Sequence, residues 1–339
     1  MASKSTDVPT YSQIACVGAG LSAVALGATL QRWYGLEDIQ FFERHPTSGG
    51  TWYINSYPGD RGSALSHFSI QTNILVGCGC DVPSALYSFS FAPNPNWTKL
   101  MPSNKEIKEY IDDVVDTYNL LPKMSFETEV VRTVWREDAN RWLLYLRELK
   151  TGREYTHECQ ILFAATGQLV EPRPCEIPGA SDFRGSIFHS ARWDHSVDLN
   201  GKNVVVIGNG CMRIFDPGYL ESLHQDNVLL TDAKTERITE EGIETDKGFI
   251  PADVIVLATG FQTNKFIPYM DVVGRNGETV SKHWGRYGGP AAYNCSALNG
   301  FPNFFILLGP NAATGHTSAM MAAEKSVACP FHLFYPSLY

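Results

Sequence analysis

Two glycine-rich turns, each at the end of an apolar run, predict an α/β fold of the Rossmann-like type for this chain of 339 residues. The first turn, Gly18-Ala19-Gly20, follows apolar residues 14–17. The second, Gly208-Asn209-Gly210, follows apolar residues 204–207. A third observation is Glu43, an acidic residue at the end of another apolar run. This pattern is typical of two nucleotide-binding units in one chain.

The first turn has the spacing GxGxxA between a predicted strand, residues 12–17, and a predicted helix, residues 24–33. Gly18 suits the tight turn, Gly20 lets the backbone approach a pyrophosphate, and the small Ala23 lets the helix pack on the strand. The N-terminus of the helix then offers free N–H groups to the phosphate.

Glu43 completes this first site. It follows a predicted strand at residues 39–42 and lies 23 positions after Gly20, where an acid accepts hydrogen bonds from ribose hydroxyls. A glycine-rich turn in an α/β protein without a nucleotide is the alternative, but strand, helix and acid together favour a dinucleotide. At this point FAD and NAD both remain open.

The composition excludes several classes of protein. A net charge of −9 and a pI near 5.5 argue against a nucleic-acid partner. The glycines within residues 14–30 argue against a membrane segment. Eight scattered cysteines favour a reducing compartment, here the cytoplasm, over a disulfide-stabilised secreted domain. A small-molecule substrate is therefore expected, and no feature of the sequence indicates an oligomeric state.

Several further motifs occur in a characteristic order. They are GGTWY at residues 49–53, FRGSIFHSARWD at 183–194, ATG at 165–167, ATGF at 258–261, GFPN at 300–303 and GPNAATGH at 309–316. Together they resemble the class B flavin monooxygenases, which include Baeyer-Villiger and flavin-containing monooxygenases. The resemblance covers nearly the whole chain. It implies the two-dinucleotide-binding-domain flavoprotein fold, with FAD and NADPH as cofactors.

The resemblance also implies roles for individual residues. The GGTW segment is expected against the flavin, Asp81 beside the flavin as a catalytic residue that orients an arginine, and Val130 at the adenine. Further cofactor contacts are implied in the stretch after the YPG motif, in the first ATG segment and near the C-terminus. The FAD-binding residues implied in this way, beyond Gly18, Gly20, Ala23 and Glu43, are Gly50, Thr51, Trp52, Tyr53, Asp81, Val82, Tyr87, Val130, Thr166, Gly167 and Asn311.

The second nucleotide site departs from the family pattern. Gly208 and Gly210 are expected to contact NADPH, but Arg213 occupies the position of the small third residue. A strand is predicted at residues 227–230, which leaves room for one short helix near residues 217–223. The sequence therefore predicts an NADPH-binding domain that is largely deleted.

The family's catalytic arginine falls close to this deletion. Counting back without gaps from residues 214–220 puts it at Met212 in the first place and at Arg213 in the second, and Arg213 is the candidate because it is the arginine of the two. In the family, NADPH reduces FAD, the reduced flavin activates O2, and a ketone is oxygenated while the arginine stabilises negative charge.

Two other departures concern the chain outside the second site. About 18 residues, from 59 to 76, separate the YPG motif from the segment GCGCD at 77–81. Pro330 is expected to interrupt the last helix, which starts near residues 322–324. The short spacing of Cys78 and Cys80 suits a thiolate pair, but a metal or redox role is not favoured without further ligands.

The domain prediction is a discontinuous FAD domain, residues 1–200 and 261–339, around a remnant of the NADPH domain, residues 201–260. A helix is predicted at residues 104–121 and an antiparallel meander at 127–159.

Three hypotheses of function follow. The first is FAD-, NADPH- and O2-dependent oxygenation of a small organic ketone in secondary metabolism. The second is a flavin-binding protein without monooxygenase activity, either an isomerase or cyclase or an inactive remnant. The third is an oxidase or dehydrogenase whose substrate reduces FAD directly.

Overall fold

The computed structural model describes residues 8–57, 78–208, 224, 226–312 and 318–334. The strands are β1 (Thr10–Val17), β2 (Ile39–Phe42), β3 (Met124–Ser125), β4 (Thr128–Arg136), β5 (Arg141–Glu148), β6 (Glu154–Ala164), β7 (Ser186–His189), β8 (Val204–Ile207), β9 (Thr235–Thr239), β10 (Gly242–Thr245), β11 (Gly248–Pro251), β12 (Val254–Leu257), β13 (Asp271–Val273) and β14 (Phe304–Ile306). The helices are α1 (Leu21–Thr29), α2 (Thr51–Ile54), α3 (Asn104–Thr117), α4 (Val280–Arg286) and α5 (Ala319–Phe334). Within these described ranges, no helix combines the length and the apolar character needed to cross a bilayer.

The larger sheet has eight strands, in the order β13-β4-β5-β6-β1-β2-β3, with β14 beside β6. Five of them, β14, β6, β1, β2 and β3, are parallel, and the meander β4-β5-β6 is antiparallel. The strand β6 belongs to both parts, because its first half pairs with β5 and its last residues pair with β14. The nucleotide-binding sheet and the meander are thus one continuous structure.

Helix α3 covers one face of this sheet together with α1 and α5. Its buried residues, Ile107, Tyr110, Ile111, Val114 and Val115, recur at helical spacing and are the ones that the sequence predicts. Ser103 caps the helix by accepting a hydrogen bond from the backbone N–H of Glu106. The helix ends at Thr117 rather than at residue 121, because Asn119 adopts a left-handed conformation with φ of 47°.

The opposite face packs around Trp142 of β5. This side chain is fully buried, contacts the rings of Trp135 and Phe304, and donates a hydrogen bond to the backbone oxygen of Pro302 at 2.8 Å. The meander is therefore attached to the loop that precedes β14.

A second parallel sheet has the order β7-β12-β8, and the hairpins β9-β10-β11 pack beside it. Strands β8 and β12 are apolar throughout, as expected for strands that helices or a second sheet cover, whereas β7 is apolar only at Ile187 and Phe188. Strand β7 lies before the predicted domain boundary at 200/201, whereas β8 and β12 lie after it. The second sheet therefore contains strands from both sides of that boundary.

Two sequence predictions are wrong. Residues 227–230 form no strand; Leu229 and Leu230 are largely exposed, and the next strand, β9, begins at Thr235. An apolar run forms a strand only where a neighbouring strand satisfies its backbone, and no described strand pairs with this segment. The predicted short helix near residues 217–223 and the insertion at 59–76 lie outside the described residues.

The other wrong prediction is the interruption at Pro330. Helix α5 continues through it to Phe334. A proline removes one backbone N–H and disturbs the carbonyl four residues earlier, and here it lies in the last turns of a helix of 16 residues. Because the upstream part of α5 is anchored by fully buried residues such as Met320, Ala323 and Val327, the helix tolerates that loss.

Trp142 offers a direct test of the core. We expect Trp142→Ala to reduce the free energy of unfolding by about 3–5 kcal/mol, because it leaves a large cavity. Urea denaturation measures this change. Tyr145→Ala on the same strand is the control: Tyr145 is 42% exposed, and its loss should cost less than about 1 kcal/mol. Equal effects of the two substitutions would contradict this description of the core.

His157 joins β6 to β1 and makes stability dependent on pH. Its Nδ1 lies 2.8 Å from the hydroxyl of Thr10 and its Nε2 lies 2.9 Å from the hydroxyl of Ser12. The Ser12 hydroxyl donates to the backbone oxygen of Ile14, so it accepts from Nε2–H of His157. Burial lowers the pKa of His157 to about 4.

In the unfolded chain His157 takes up a proton near pH 6.5, but in the folded protein it does so only near pH 4. This histidine therefore makes the protein less stable as the pH falls from about 6.5 to about 4. We expect His157→Gln to remove up to about 3 kcal/mol of this pH dependence. Urea denaturation at a series of pH values measures it, and parallel curves for the two proteins would refute the assignment.

Candidate cofactor site

A cavity of about 540 Å³ lies at the carboxyl ends of β1, β2 and β6. Val17, Phe42 and Ala165, at or just after the ends of these strands, contribute to its wall. Ligands of open parallel sheets bind at this edge, and the volume lies within the usual range for cofactor sites.

The turn after β1 requires glycine. Gly18 has φ of 108°, and a Cβ atom there would lie 2.4 Å from the backbone oxygen of Ala165. The backbone N–H of Ala165 in turn donates to the oxygen of Val17 at 2.8 Å. The first fingerprint turn is therefore packed directly against the ATG segment that follows β6.

The start of α1 is open to an anion. Gly20 is the N-cap residue and offers no side chain to the first-turn N–H groups. A Cβ atom on Gly50 would lie 2.9 Å from the Cα atom of Gly20, and the N–H of Gly49 donates to the oxygen of Ala19. The two glycine-rich segments thus bring bare backbone and a helix N-terminus together, as a pyrophosphate needs.

Glu43 is buried at the same turn. Its carboxylate accepts hydrogen bonds from the backbone N–H groups of Ala19 and His45, each at 2.8 Å. Burial raises the pKa of Glu43, and these hydrogen bonds act in the opposite direction. Each carboxylate oxygen keeps a lone pair, so the group can also accept from ribose hydroxyls.

Trp52 and Tyr87 are two aromatic residues of the cavity wall. The indole Nε1–H of Trp52 donates to the hydroxyl of Tyr87 at 3.2 Å, and the two rings meet edge to face at 5.6 Å. Burial raises the pKa of Tyr87 well above its ordinary value, so the hydroxyl stays protonated. This pair connects the GGTW segment to the segment that carries Asp81.

Asp81 and Val82 reach the cavity because the preceding residues are tied to the start of α3. The backbone oxygen of Cys78 accepts from the N–H of Asn104, and the N–H of Cys80 donates to the oxygen of Pro102. Asp81 is exposed at the cavity wall. Cys78 and Cys80 are both buried.

Arg44, Glu129, Val130 and Tyr269 line the end of the cavity next to Glu43. The guanidinium of Arg44 lies over the ring of Tyr269, 4.0 Å from its centroid. Beside it, burial and the positive charges of Arg44 and Arg192 lower the pKa of His45 to about 4.

The FRGSIFHSARWD motif contacts the two segments in which the chain passes between the two sheets, here called the chain crossings. His189 Nε2 lies 3.1 Å from the oxygen of Gly260, and Arg192 donates to the oxygen of Val170 at 2.8 Å. Pro172 and Phe261 form a β-bridge between the crossings at residues 165–173 and 258–262. The histidine is thus a positioned, hydrogen-bonded group at the junction of the two sheets.

The second glycine turn repeats the geometry of the first. Gly208 has φ of 92°, and a Cβ atom there would lie 2.6 Å from the oxygen of Ala258. The N–H of Ala258 donates to the oxygen of Ile207 at 2.8 Å, as Ala165 does to Val17. Gly210 and Arg213 lie outside the described residues.

The structure brings most of the residues expected at FAD to one cavity. Those in its wall are Gly18, Gly20, Glu43, Gly50, Thr51, Trp52, Asp81, Val82, Tyr87, Val130, Thr166 and Gly167. Ala23 is fully buried within α1, which suits its packing role. Tyr53, Gly208 and Asn311 lie outside the cavity wall.

The motifs did not indicate several other residues in the wall, among them Arg44, His45, Asn55 and Tyr269. Arg44 and His45 follow Glu43 directly, and this adjacency was a usable signal. Tyr269 belongs to no recognised motif and is brought to the site by the fold alone.

Comparison with protein families gives a match to the flavin-binding monooxygenase-like family over residues 11–258, well over half of the chain. The chain belongs to this family. It is an FAD-dependent monooxygenase by membership, and therefore an oxidoreductase. The cavity fits FAD, because it combines bare glycine backbone, an uncapped helix N-terminus and a buried acid in one wall.

Two curated relatives are similar over most of the chain. The FAD-binding monooxygenase tazF of Aspergillus terreus is 27% identical, with 91% of this chain and 73% of the relative covered. A Baeyer-Villiger monooxygenase of Streptomyces coelicolor is also 27% identical, with coverage of 94% and 77%. The first alignment runs over 431 positions, 92 more than the 339 residues of this chain, so at least that many positions have no counterpart here.

Among solved structures, cyclohexanone monooxygenase from Rhodococcus sp. Phi1, bound to NADP+, has the same fold. The TM-score is 0.78 at 21% sequence identity, with 97% of this chain and 85% of that chain covered.

Gly18 provides a test of the site. We expect Gly18→Ala to abolish FAD binding, because the added methyl group would collide with the backbone of Ala165. The positive φ of residue 18 would also be strained for alanine. Gly35→Ala is the matched control: Gly35 has φ of 61° but nothing within 4 Å of the new Cβ, so only strain of about 1–2 kcal/mol is added. Flavin fluorescence and thermal unfolding measure both. Normal FAD affinity in Gly18→Ala would contradict the proposed turn.

Proposed function

We propose that this protein uses NADPH and O2 to oxygenate a small organic ketone, with FAD held in the cavity between Glu43 and Asp81. The observation that carries the proposal is the convergence of twelve motif residues on that one cavity. When bound, FAD supplies the redox chemistry and the activation of O2.

Different residues of the chain are proposed to bind different parts of FAD. The glycine backbone at Gly18, Gly20 and Gly50 and the N-terminus of α1 bind the pyrophosphate, while Glu43 accepts from the ribose. Trp52 and the neutral Tyr87 hold the flavin end in a largely apolar wall that limits access of water. Asp81, at the same end, is the candidate for orienting a cationic group toward the reacting atoms.

NADPH would use what remains of the second nucleotide unit, residues 201–260. The intact geometry of Gly208 against Ala258 supports this assignment. The name of the structural neighbour, which was solved with NADP+, is consistent with the same cosubstrate.

A ketone is the favoured substrate class because the Streptomyces relative is a Baeyer-Villiger monooxygenase and the structural neighbour is named for a cyclic ketone. The name of the fungal relative tazF supports an FAD-binding monooxygenase. The thiols of Cys16, Cys80 and Cys159, which are buried and free, agree with a reducing, cytoplasmic location.

Anaerobic reduction tests the proposal. We expect the purified yellow protein to lose its visible flavin absorbance when NADPH is added without oxygen, because hydride passes to FAD. We expect Gly208→Ala to slow this bleaching at least about tenfold, since its Cβ atom would lie 2.6 Å from the oxygen of Ala258, while its FAD content stays normal.

Dithionite, which needs no nucleotide site, is the control and should bleach both proteins equally. A wild-type protein that dithionite bleaches but NADPH does not would overturn the assignment. It would favour instead a flavin protein that does not oxygenate, or one that its own substrate reduces.

A further inference from the structure

Tyr269 has an unusual backbone for a bulky residue. Its φ of 70° lies in the left-handed region, which side chains of this size rarely adopt. The residues after it hold it there: Met270 is buried in the core, and Asp271 starts β13, which pairs with Arg132 of β4. Strained backbone that its surroundings hold in place occurs preferentially at binding sites.

The strained residue carries a specific contact. The guanidinium of Arg44 stacks over the Tyr269 ring at 4.0 Å, well within the range of a cation–π interaction. An ion pair with Glu129 at 3.6 Å holds Arg44 from another direction. The contact joins two parts of the chain more than 200 residues apart, just after β2 and just before β13.

The stacked pair lies in the wall of the cofactor cavity, not on an unrelated surface. Arg44 and Tyr269 line it together with Thr128, Glu129 and Val130. Arg44 directly follows Glu43, the acid suited to the ribose, so the pair lies at the end of the cavity beyond the pyrophosphate turn. The part of FAD that extends to this end is its adenosine.

We infer that Arg44 and Tyr269 form a stacking clamp for the adenine of FAD, and that this clamp makes the protein select FAD over FMN. The inference rests on FAD as the occupant of the cavity. A guanidinium presents two flat faces, so it can stack on the tyrosine and on a purine at once. FMN lacks the adenosine and gains nothing from the clamp.

Charged and titratable side chains surround Arg44. Arg44 and Arg192 are the cations that act on His45, and Glu43 and Glu129 are the nearby acids. His45 is neutral at physiological pH and adds no charge, so Arg44, paired with Glu129, is a cation that lies in the cavity wall.

Titration of the apoprotein with FAD, FMN and ADP tests the clamp. We expect Tyr269→Ala to raise the dissociation constants of FAD and ADP by about tenfold, the size of a typical base-stacking loss, and to leave that of FMN unchanged. Arg44→Lys keeps the charge but not the flat surface, and should weaken FAD and ADP several-fold. Tyr269→Phe keeps the ring and should bind all three as the wild type does.

Tyr293→Ala, which removes a tyrosine that is 67% exposed and outside the cavity wall, is the matched control and should change nothing. Unchanged FAD affinity in Tyr269→Ala, or an equal loss for FMN and FAD, would refute the clamp. Wild-type protein that binds none of the three ligands would refute the FAD site itself, which is a separate result. Calorimetry reads binding without requiring turnover.

Discussion

The close approach of Gly18 to the carbonyl of Ala165 is the constraint on which the cofactor site depends. It sets the turn that β1 makes and thereby the direction of α1, whose first turn faces the cavity. The same turn presents the N–H of Ala19 to Glu43, and its oxygen to Gly49. A side chain at residue 18 would separate the two strand ends, and every contact built on them would shift.

Electrostatics at the site follow from this arrangement. A buried carboxylate is stable only where hydrogen-bond donors surround it, and the backbone donors from Ala19 and His45 supply them. Arg44, the residue between Glu43 and His45, lies in the cavity wall and forms an ion pair with Glu129. Three consecutive residues of one short loop thus place an acceptor, a cation and a neutral ring in the cavity wall.

Local patterns in the sequence predicted most of what positions the site. The strand at residues 39–42, the buried stripe of α3 and the antiparallel meander all appear where periodicity places them, because each depends on contacts within a short stretch. The errors concern long-range context. Residues 227–230 have a strand-like composition but no strand partner, and α5 passes through Pro330 because its upstream residues are buried. The Arg44–Tyr269 contact joins distant segments, and no local sequence pattern in either segment predicts it.

The bridge between the two chain crossings has a mechanical consequence. Two separate single-chain connections would let the smaller sheet swing and twist in many directions. Because Pro172 pairs with Phe261 and His189 Nε2 lies 3.1 Å from the oxygen of Gly260, the two crossings form one short ribbon rather than two independent connections. Gly167 and Gly260, both with positive φ, flank that ribbon. Two paired crossings restrict movement of the smaller sheet more than two independent connections would, and His189 of the FRGSIFHSARWD motif makes one of the contacts that join them.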